Sequence, residues 1–232
     1  GTASNFGVQL TNNASFIEFD SCTVSINQAS TSSSTAAFVA SGSLTSATTA
    51  GATANNITVK NSIIEGGYYC FTMMGPTSAP FSSNNIIENN TIRDFYLYGL
   101  YCTNQNNTSI KNNDVNRSQR MGILSTFYGM YFNGNMTDVK VFGNKLHNPG
   151  DQNTAATFTA YTMYMSSANA TSTNPMIVAN NAIYELNGSG LNYAIYLLSG
   201  NFINLYHNTI SVDNYFASTS ASAQRALFIG AS

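Results

Sequence analysis

Short stretches of apolar and polar residues recur along the chain, and they share one eight-residue pattern. The third and eighth positions are apolar in every copy, and the sixth is asparagine in most copies. Because side chains alternate between the two faces of a strand, each copy predicts two short β-strands joined by a sharp turn. The copies are IEFDSCTV (17–24), ITVKNSII (57–64), NIIENNTI (85–92), TSIKNNDV (108–115), VKVFGNKL (139–146), MIVANNAI (176–183) and INLYHNTI (203–210).

The asparagine of the sixth position is expected at the turn between these two strands. A sharp turn needs a residue that tolerates left-handed backbone angles, and Asn and Gly do so at the lowest cost. An Asn side chain there can also hydrogen-bond to the copies above and below, which predicts a ladder of amides. The residues concerned are Asn90, Asn113, Asn144, Asn181 and Asn208.

A third strand follows each copy, and at its centre an aromatic residue lies between two mostly apolar neighbours. If the neighbours point into the core, alternation sends the aromatic residues outward. The pattern then predicts a continuous aromatic stripe on one sheet, whereas the opposite polarity of the strand would place the stripe in the core. The stripe comprises Phe38, Phe71, Tyr101, Tyr131, Tyr164, Tyr196 and Phe228.

The spacing between copies varies, whereas the strand pattern within each copy does not. Helical repeats would need apolar residues at i, i+3 and i+4, and no segment of ten residues has that periodicity. Constant strands with variable loops indicate stacked coils, whose strands lie about 4.8 Å apart. We therefore expect about seven coils of a solenoid.

These columns resemble those of right-handed parallel β-helix proteins, which combine an xVxxNNxI unit with a following G-I-x-L strand. The resemblance covers nearly the whole chain. It implies an all-β fold, a right-handed parallel β-helix of about seven coils with irregular loop insertions. The family includes pectin and alginate lyases, polysaccharide hydrolases, phage tailspikes and large bacterial surface adhesins, so the resemblance leaves the activity open.

Three loops interrupt the pattern, within Asn27–Asn55, His147–Tyr161 and Ser166–Pro175. The pattern resumes in register after each loop, which predicts a single domain over residues 1–232. Because it begins and ends part-way through a repeat, we expect a segment of a longer chain.

The composition favours an exported protein. Charged residues make up only 8% of the chain and the net charge is −2, which gives no electrostatic basis for binding nucleic acid or an anionic membrane. No apolar run approaches the roughly 20 residues that span a bilayer, so direct membrane insertion is not expected. Few lysines and many Asn, Thr and Tyr residues favour a secreted or cell-surface protein, of bacterial origin.

The three cysteines, Cys22, Cys70 and Cys102, are too few and too irregular for a disulfide framework or a metal site. We interpret them as small buried apolar residues. The sequence predicts neither a metal nor a cofactor.

Titratable residues concentrate in the two positions that follow the eight-residue pattern. Glu65, Arg93, Asp94, Arg117 and His147 are the candidates for chemistry there. A lyase would use a basic group beside a uronate and an arginine on its carboxylate, and a glycoside hydrolase would use two carboxylates. The paired-Asp, His-Gly and Arg-x-Lys motifs of the family's hydrolases and the calcium-binding acidic clusters of its pectate lyases are missing, so no catalytic residue is assigned.

The fourth position carries charges of alternating sign, at Asp20, Lys60, Glu88 and Lys111. Opposite charges on neighbouring strands stabilise a sheet, so this column is interpreted as structural.

The pattern as a whole favours a non-enzymatic structural and adhesive segment whose aromatic stripe binds surface glycans or other surface proteins. Rows of exposed aromatic residues are typical of interfaces. The alternatives are a β-helix polysaccharide lyase or glycoside hydrolase, and a segment of a phage tailspike.

Overall fold

The computed structural model describes residues 4–51, 54–153, 157–212 and 224–230. Its strands, numbered along the chain, form three sheets in which all neighbouring strands run parallel. In each coil the chain passes through one sheet after another, so the described part is a parallel β-solenoid of about seven turns. The predicted all-β solenoid is therefore confirmed.

Sheet A contains the long strands and the aromatic residues of the predicted stripe. Its order is β1-β4-β7-β11-β14-β17-β20-β23, and the short strand β8 also pairs with β11. The strands are β1 Asn5–Leu10, β4 Thr35–Ala40, β7 Tyr69–Met74, β8 Ser82–Ser83, β11 Tyr98–Asn106, β14 Phe127–Thr137, β17 Ala160–Asn169, β20 Asn192–Asn201 and β23 Gln224–Ile229.

Sheets B and C contain the two short strands of each eight-residue copy. Sheet B comprises β2 Ser15–Asp20, β5 Asn55–Lys60, β9 Ile86–Glu88, β12 Ser109–Lys111, β15 Lys140–Phe142, β18 Met176–Ala179 and β21 Ile203–Tyr206. Sheet C comprises β3 Thr23–Ser25, β6 Ile63–Glu65, β10 Thr91–Arg93, β13 Asp114–Asn116, β16 Lys145–His147, β19 Ala182–Tyr184 and β22 Thr209–Ile210. One 3-10 turn of the described residues, Asp151–Asn153, lies in the loop after β16.

The core lies between the three sheets. In the five central coils the third and eighth positions of the pattern are buried, as predicted; in the first and last coils they are only partly buried. Fully burying an aliphatic side chain of this size stabilises the fold by about 1.5–3 kcal/mol. The central members are Val59, Ile87, Ile110, Val141, Val178, Ile64, Ile92, Val115, Leu146 and Ile183.

The turn between sheets B and C needs a left-handed backbone angle and an amide for the ladder, and two adjacent residues supply them. The fifth position, not the sixth, takes the left-handed backbone, with φ of 55° at Asn89, 55° at Asn112 and 68° at Gly143. The sixth position forms the predicted ladder: the amide of Asn113 donates to Asn144 Oδ1 at 3.0 Å, and that of Asn144 to Asn181 Oδ1 at 2.9 Å. From Asn90 to Asn208, one asparagine in each successive coil therefore connects the coils from the inside.

Each ladder asparagine also satisfies buried backbone groups. Asn144 Oδ1 accepts the backbone N–H of Asn113 at 2.9 Å, and Asn144 Nδ2 donates to the carbonyl oxygen of Ile110 at 3.0 Å. Because a buried backbone group without a partner is costly, the ladder stabilises the turn as well as the stacking.

The first predicted insertion holds one strand, as expected, and part of it covers the outer face of sheet A. Val39 of β4 and Thr72 of β7 are outward-facing members of that sheet, yet each is 0% exposed. Ala47, from the loop after β4, packs against Val39. The loop is anchored to the sheet, because the N–H of Gly51 donates to the carbonyl oxygen of Met74 at 3.2 Å.

The third predicted insertion begins later than expected, since β17 continues to Asn169 rather than ending near Ser166. The loop that follows is accordingly shorter.

Candidate functional site: the tyrosine face of sheet A

Five of the seven predicted stripe residues lie in one outward row on sheet A. Parallel pairing aligns Tyr101 with Tyr131, Tyr131 with Tyr164, Tyr164 with Tyr196, and Tyr196 with Phe228. All five are partly buried. This part of the predicted stripe faces outward.

The other two predicted members, Phe38 and Phe71, belong to the core. Tyr101 pairs with Thr72, and Thr72 with Val39, so both phenylalanines lie one residue out of register with the row. They are 0% exposed and stack on each other with ring centroids 4.4 Å apart. Because a shift of one residue moves a strand side chain to the opposite face, the stripe starts at Tyr101.

A second row of tyrosines lies beside the first and was not predicted. Pairing aligns its members across five consecutive strands, and all belong to the outer face of sheet A. The row comprises Tyr69, Tyr98, Tyr128, Tyr161 and Tyr193. We call these five residues row 1, the residues Tyr101, Tyr131, Tyr164, Tyr196 and Phe228 row 2, and both together the tyrosine face.

The sequence pattern did not predict row 1, because the alternation of inward and outward residues is interrupted between the two tyrosines of a strand. The two residues between Tyr98 and Tyr101 are both buried, and the same holds in β14 and β17. Tyrosines three positions apart therefore share a face, where strict alternation would separate them. The recurring tetrapeptides YGLY (98–101), YGMY (128–131), YTMY (161–164) and YAIY (193–196) were the available signal.

Most rings of each row stack on one another along the solenoid; the exception is Tyr101, which meets Tyr131 edge to face at an angle of 88°. In row 1 the centroids of successive rings are 4.8–5.4 Å apart and their planes differ by only 10–12°. In row 2, Tyr131, Tyr164, Tyr196 and Phe228 stack at 4.4–5.1 Å. Between the rows most contacts are edge to face, as for Tyr193 and Tyr196, whose planes differ by 87°.

This arrangement decides which parts of the tyrosines are open to a ligand. Stacked neighbours cover the ring faces, so ring edges and hydroxyl groups form much of the remaining surface. Burial and the neighbouring tyrosines raise the pKa of Tyr98 and raise that of Tyr101 and Tyr128 to about 12. These hydroxyls are therefore neutral hydrogen-bond donors at physiological pH.

Polar side chains accompany the tyrosine face along one edge. The next outward column of sheet A pairs Thr103 with Asn133, and Asn133 with Ser166. The four strands β11, β14, β17 and β20 contain no Asp, Glu, Lys, Arg or His. The face is therefore uncharged over most of its length.

An open cleft of about 540 Å³ follows the opposite edge of row 1. Thr126, Thr159 and Leu191 lie at its rim, immediately before β14, β17 and β20. Phe158 forms part of its wall. The cleft therefore places partly exposed threonines two positions before Tyr128 and Tyr161.

The two ends of row 1 are closed differently. At Tyr69 the row meets the covering loop, through a hydrogen bond with Thr48. At Tyr193, Arg225 donates to the tyrosine hydroxyl at 2.8 Å, and its guanidinium lies 5.4 Å from the ring centroid. Arg225 brings the only charge aligned with row 1 among the described strands of sheet A.

The predicted column of titratable residues on sheet C is in register. Pairing aligns Glu65 with Arg93, Arg93 with Asn116, and Asn116 with His147. Arg93 donates to Glu65 Oε2 from both Nε and Nη2, each at 2.8 Å. His147 lies two strands from Arg93, roughly 10 Å away, so the two do not share one site.

Asp94 and Arg117 are buried, which removes them from the predicted groove. The carboxylate of Asp94 accepts the backbone N–H of Gln119 at 2.9 Å, and burial raises its pKa. Arg117 is 0% exposed and donates to the carbonyl oxygens of Pro149 at 2.6 Å and Tyr96 at 2.8 Å. Burial lowers the pKa of Arg117 to about 9.

The guanidinium of Arg117 also lies between two aromatic rings, with centroids 4.8 Å away for Phe158 and 5.3 Å for Phe127. Its contacts hold the loop after β16 against the coil. Arg117 therefore acts in packing rather than at an open surface.

His147 forms a pair with Asp114 of the neighbouring strand, Nε2 to Oδ1 at 3.0 Å, and stacks on Tyr184 with centroids 4.8 Å apart. Burial opposes the charge on His147, but hydrogen bonds with Asp114 and Asn148 outweigh it and raise the pKa of the imidazole. The histidine is thereby held in a local network of side chains.

The fourth-position charges pair as predicted. Lys60 lies 3.5 Å from Asp20, and Lys111 lies 2.5 Å from Glu88. Cys70 and Cys102 are buried as expected, while Cys22 is only partly buried.

Within residues 4–51, 54–153, 157–212 and 224–230, no group of three His, Cys, Asp or Glu side chains is placed to hold a metal ion. No helix in those ranges is long and apolar enough to cross a membrane.

The tyrosine face is the most extensive candidate site that the described residues offer, since it joins ten rings on one sheet whose strands β11, β14, β17 and β20 carry no charge. Comparison of the chain with protein-family models, with curated proteins and with solved structures gives no match.

Proposed function

We propose that the protein is a non-enzymatic, structural and adhesive segment of a secreted or cell-surface protein, and that its tyrosine face binds surface glycans. The observation that carries the proposal is the row of neutral phenol groups repeating about every 5 Å along the solenoid. Tyrosine combines an apolar ring with a hydrogen-bonding group, which suits a partially hydrated contact.

The polar groups around the face support a glycan in particular. Thr103, Asn133 and Ser166 follow one edge, and Thr126 and Thr159 follow the other. A neutral sugar polymer lying along the solenoid would meet hydroxyl and amide groups on both sides of the rings. A charged polymer would gain little, because the strands beneath carry no charge.

The test is a binding assay with a panel of soluble neutral polysaccharides, comparing the wild type with the double variant Tyr131→Ala, Tyr164→Ala. A central contact residue typically contributes about 2 kcal/mol or more, so we expect affinity to fall at least about tenfold. Tyr206→Ala is the matched control, because Tyr206 is 48% exposed but lies on sheet B. Equal affinities of the double variant and the wild type, with intact circular dichroism, would contradict the proposal.

A surface protein as the ligand is the alternative outcome of the same assay. Binding to a protein-coated surface that survives enzymatic removal of glycans, and that the double variant loses, would assign the tyrosine face to a protein partner.

The alternative of a polysaccharide-cleaving enzyme would depend on Glu65, Arg93 and His147. Glu65 and Arg93 pair with each other, and His147 pairs with Asp114. Depolymerisation of a polysaccharide that is lost in the variant Arg93→Ala, His147→Ala would favour that alternative. A stable trimer in sedimentation would favour the tailspike interpretation.

A further inference from the structure

The tyrosine face places oxidisable rings of successive coils in direct contact. Tyr131 and Tyr164 lie 4.9 Å apart between ring centroids, and Tyr164 and Tyr196 lie 5.1 Å apart. Row 1 repeats this arrangement, with Tyr128 and Tyr161 at 5.4 Å. Contacts between the rows, such as Tyr161 with Tyr164 at 5.2 Å, make the set continuous.

We propose that the tyrosine face is a site of oxidative cross-linking, at which tyrosines of adjacent coils are joined covalently as dityrosine by a haem peroxidase using hydrogen peroxide. This cross-linking does not depend on glycan binding. It rests on the contacts between the rings and on the ordinary chemistry of phenols.

The reaction balances with peroxide as the only oxidant. Each of two phenols loses its hydroxyl hydrogen atom to the oxidised enzyme, which leaves two tyrosyl radicals. Their unpaired electrons form one carbon–carbon bond between ring carbons ortho to the oxygens. The hydrogens on those two carbons then move to the oxygens as protons, which restores the aromatic rings. Overall, two tyrosines and one peroxide give one dityrosine and two water molecules.

Contact between the rings directs this coupling within one molecule. A radical on Tyr164 has Tyr131, Tyr161 and Tyr196 within 4.9–5.2 Å, whereas a tyrosine of another molecule must first diffuse to it. Groups held side by side behave as if present at a very high concentration. In dilute protein, coupling between coils should therefore precede coupling between molecules.

Each such bond would connect strands that are distant in sequence. Tyr131 and Tyr164 belong to successive strands β14 and β17, so their coupling closes the whole intervening coil into a loop. Closing a loop of that length restricts the unfolded chain. The oxidised protein should therefore unfold at a higher urea concentration than the untreated protein.

The experiment treats the dilute, folded full chain with hydrogen peroxide and a haem peroxidase. We expect dityrosine fluorescence, a monomeric band on a denaturing gel, and a mass loss of two hydrogen atoms per cross-link. Peptide mapping should locate the bonds between neighbouring members of rows 1 and 2. Absence of dityrosine, or a product that forms mainly between molecules, would overturn the proposal.

Two variants test whether contact between the rings, rather than exposure of a phenol alone, decides where the cross-links form. Tyr164→Phe keeps the stacked ring but not the phenol, so it should lose the cross-links to Tyr131 and Tyr196 and retain that between Tyr128 and Tyr161. Tyr206→Phe removes a more exposed phenol on sheet B and should leave the mapped bonds unchanged. If the bonds map chiefly to Tyr206, or form equally in urea-unfolded chain, ring contact is not what directs the coupling.

Discussion

At the scale of single residues, the turn between sheets B and C shows how one motif carries two physical requirements. The fifth position supplies the left-handed backbone, at Asn89 and Asn112 for example, and the sixth supplies the internal amide ladder. The sequence predicted the ladder, because Asn recurs at that position. It did not separate the two tasks, because Asn satisfies both and often occupies both positions.

Removing one ladder amide should therefore cost more than an ordinary polar substitution. In Asn144→Ala the backbone N–H of Asn113 and the carbonyl oxygen of Ile110 both lose a buried partner. We expect the free energy of unfolding to fall by about 2–4 kcal/mol, measured by urea denaturation.

Asn112→Gly is the matched control for that variant. Asn112 is exposed and has a φ of 55°, which glycine adopts readily. A change of no more than about 0.5 kcal/mol is expected, and equal losses in the two variants would show that the ladder has no special role.

The pair of His147 and Asp114 should make stability depend on pH. The pKa of His147 is raised above 6.5 in the folded protein, so its contribution is complete below about pH 6.5 and is lost as pH rises through the folded pKa. Burial opposes the charge on Asp114, but hydrogen bonds with His147 and Asn116 outweigh it and lower its pKa below 3.8, so its contribution is lost only at acid pH.

We therefore expect His147→Gln to destabilise the protein more at about pH 5 than at about pH 8.5, as measured by urea unfolding at both values. When His147→Gln is made in the Asp114→Asn protein, its effect should differ less between the two pH values, because Asp114→Asn removes the charge that stabilises the imidazolium. A larger effect at the higher pH would reverse the assigned sign.

At the scale of elements, sheet A covers its outer face in two different ways. Where the loop after β4 lies on the sheet, the residues beneath it are small, as at Ala36, Val39 and Thr72. Beyond the loop, the aligned positions carry tyrosines that cover the strands themselves. The rows therefore contribute to stability as well as forming a surface.

The sequence predicted which segments form strands, but it predicted less well on which face of the sheet each side chain lies. The alternation predicted row 2 correctly from Tyr101 onward. It misplaced Phe38 and Phe71 because nearly every position of β4 and β7 is buried, so burial does not alternate along these two strands and the outward face is not marked by exposed residues. It missed row 1 because two consecutive buried residues interrupt the alternation between the rows.

The stacking within row 1 should be measurable as stability. Tyr128 contacts Tyr98 at 4.8 Å and Tyr161 at 5.4 Å, and Tyr128→Ala removes both contacts. We expect a loss of about 1–3 kcal/mol in the free energy of unfolding.

Tyr128→Phe should preserve most of that stability because it retains the ring, and Tyr206→Ala serves as an exposed control. If Tyr128→Phe destabilises the protein as much as Tyr128→Ala, the hydroxyl groups rather than the ring contacts hold the row together.

At the scale of the whole molecule, three parallel sheets stack the same unit through about seven turns. This architecture was predictable because every copy repeats the same apolar positions and most copies carry Asn at the sixth position. The distribution of charge was less predictable. On sheet C, Arg93 pairs with Glu65 and His147 with Asp114. Arg117, which follows β13, enters the interior beneath the loop after β16. Sheet A, by contrast, presents a face of mostly partly buried tyrosines with no charged residue in β11, β14, β17 and β20.

The most direct test of that face as the contact surface is a tyrosine nitration footprint, read by mass spectrometry, with and without a polysaccharide that the protein retains. We expect the polysaccharide to slow nitration of Tyr161 and Tyr164 while Tyr206 and Tyr184 react at unchanged rates. Protection of Tyr184, which adjoins His147 on sheet C, with Tyr161 and Tyr164 unaffected would contradict it.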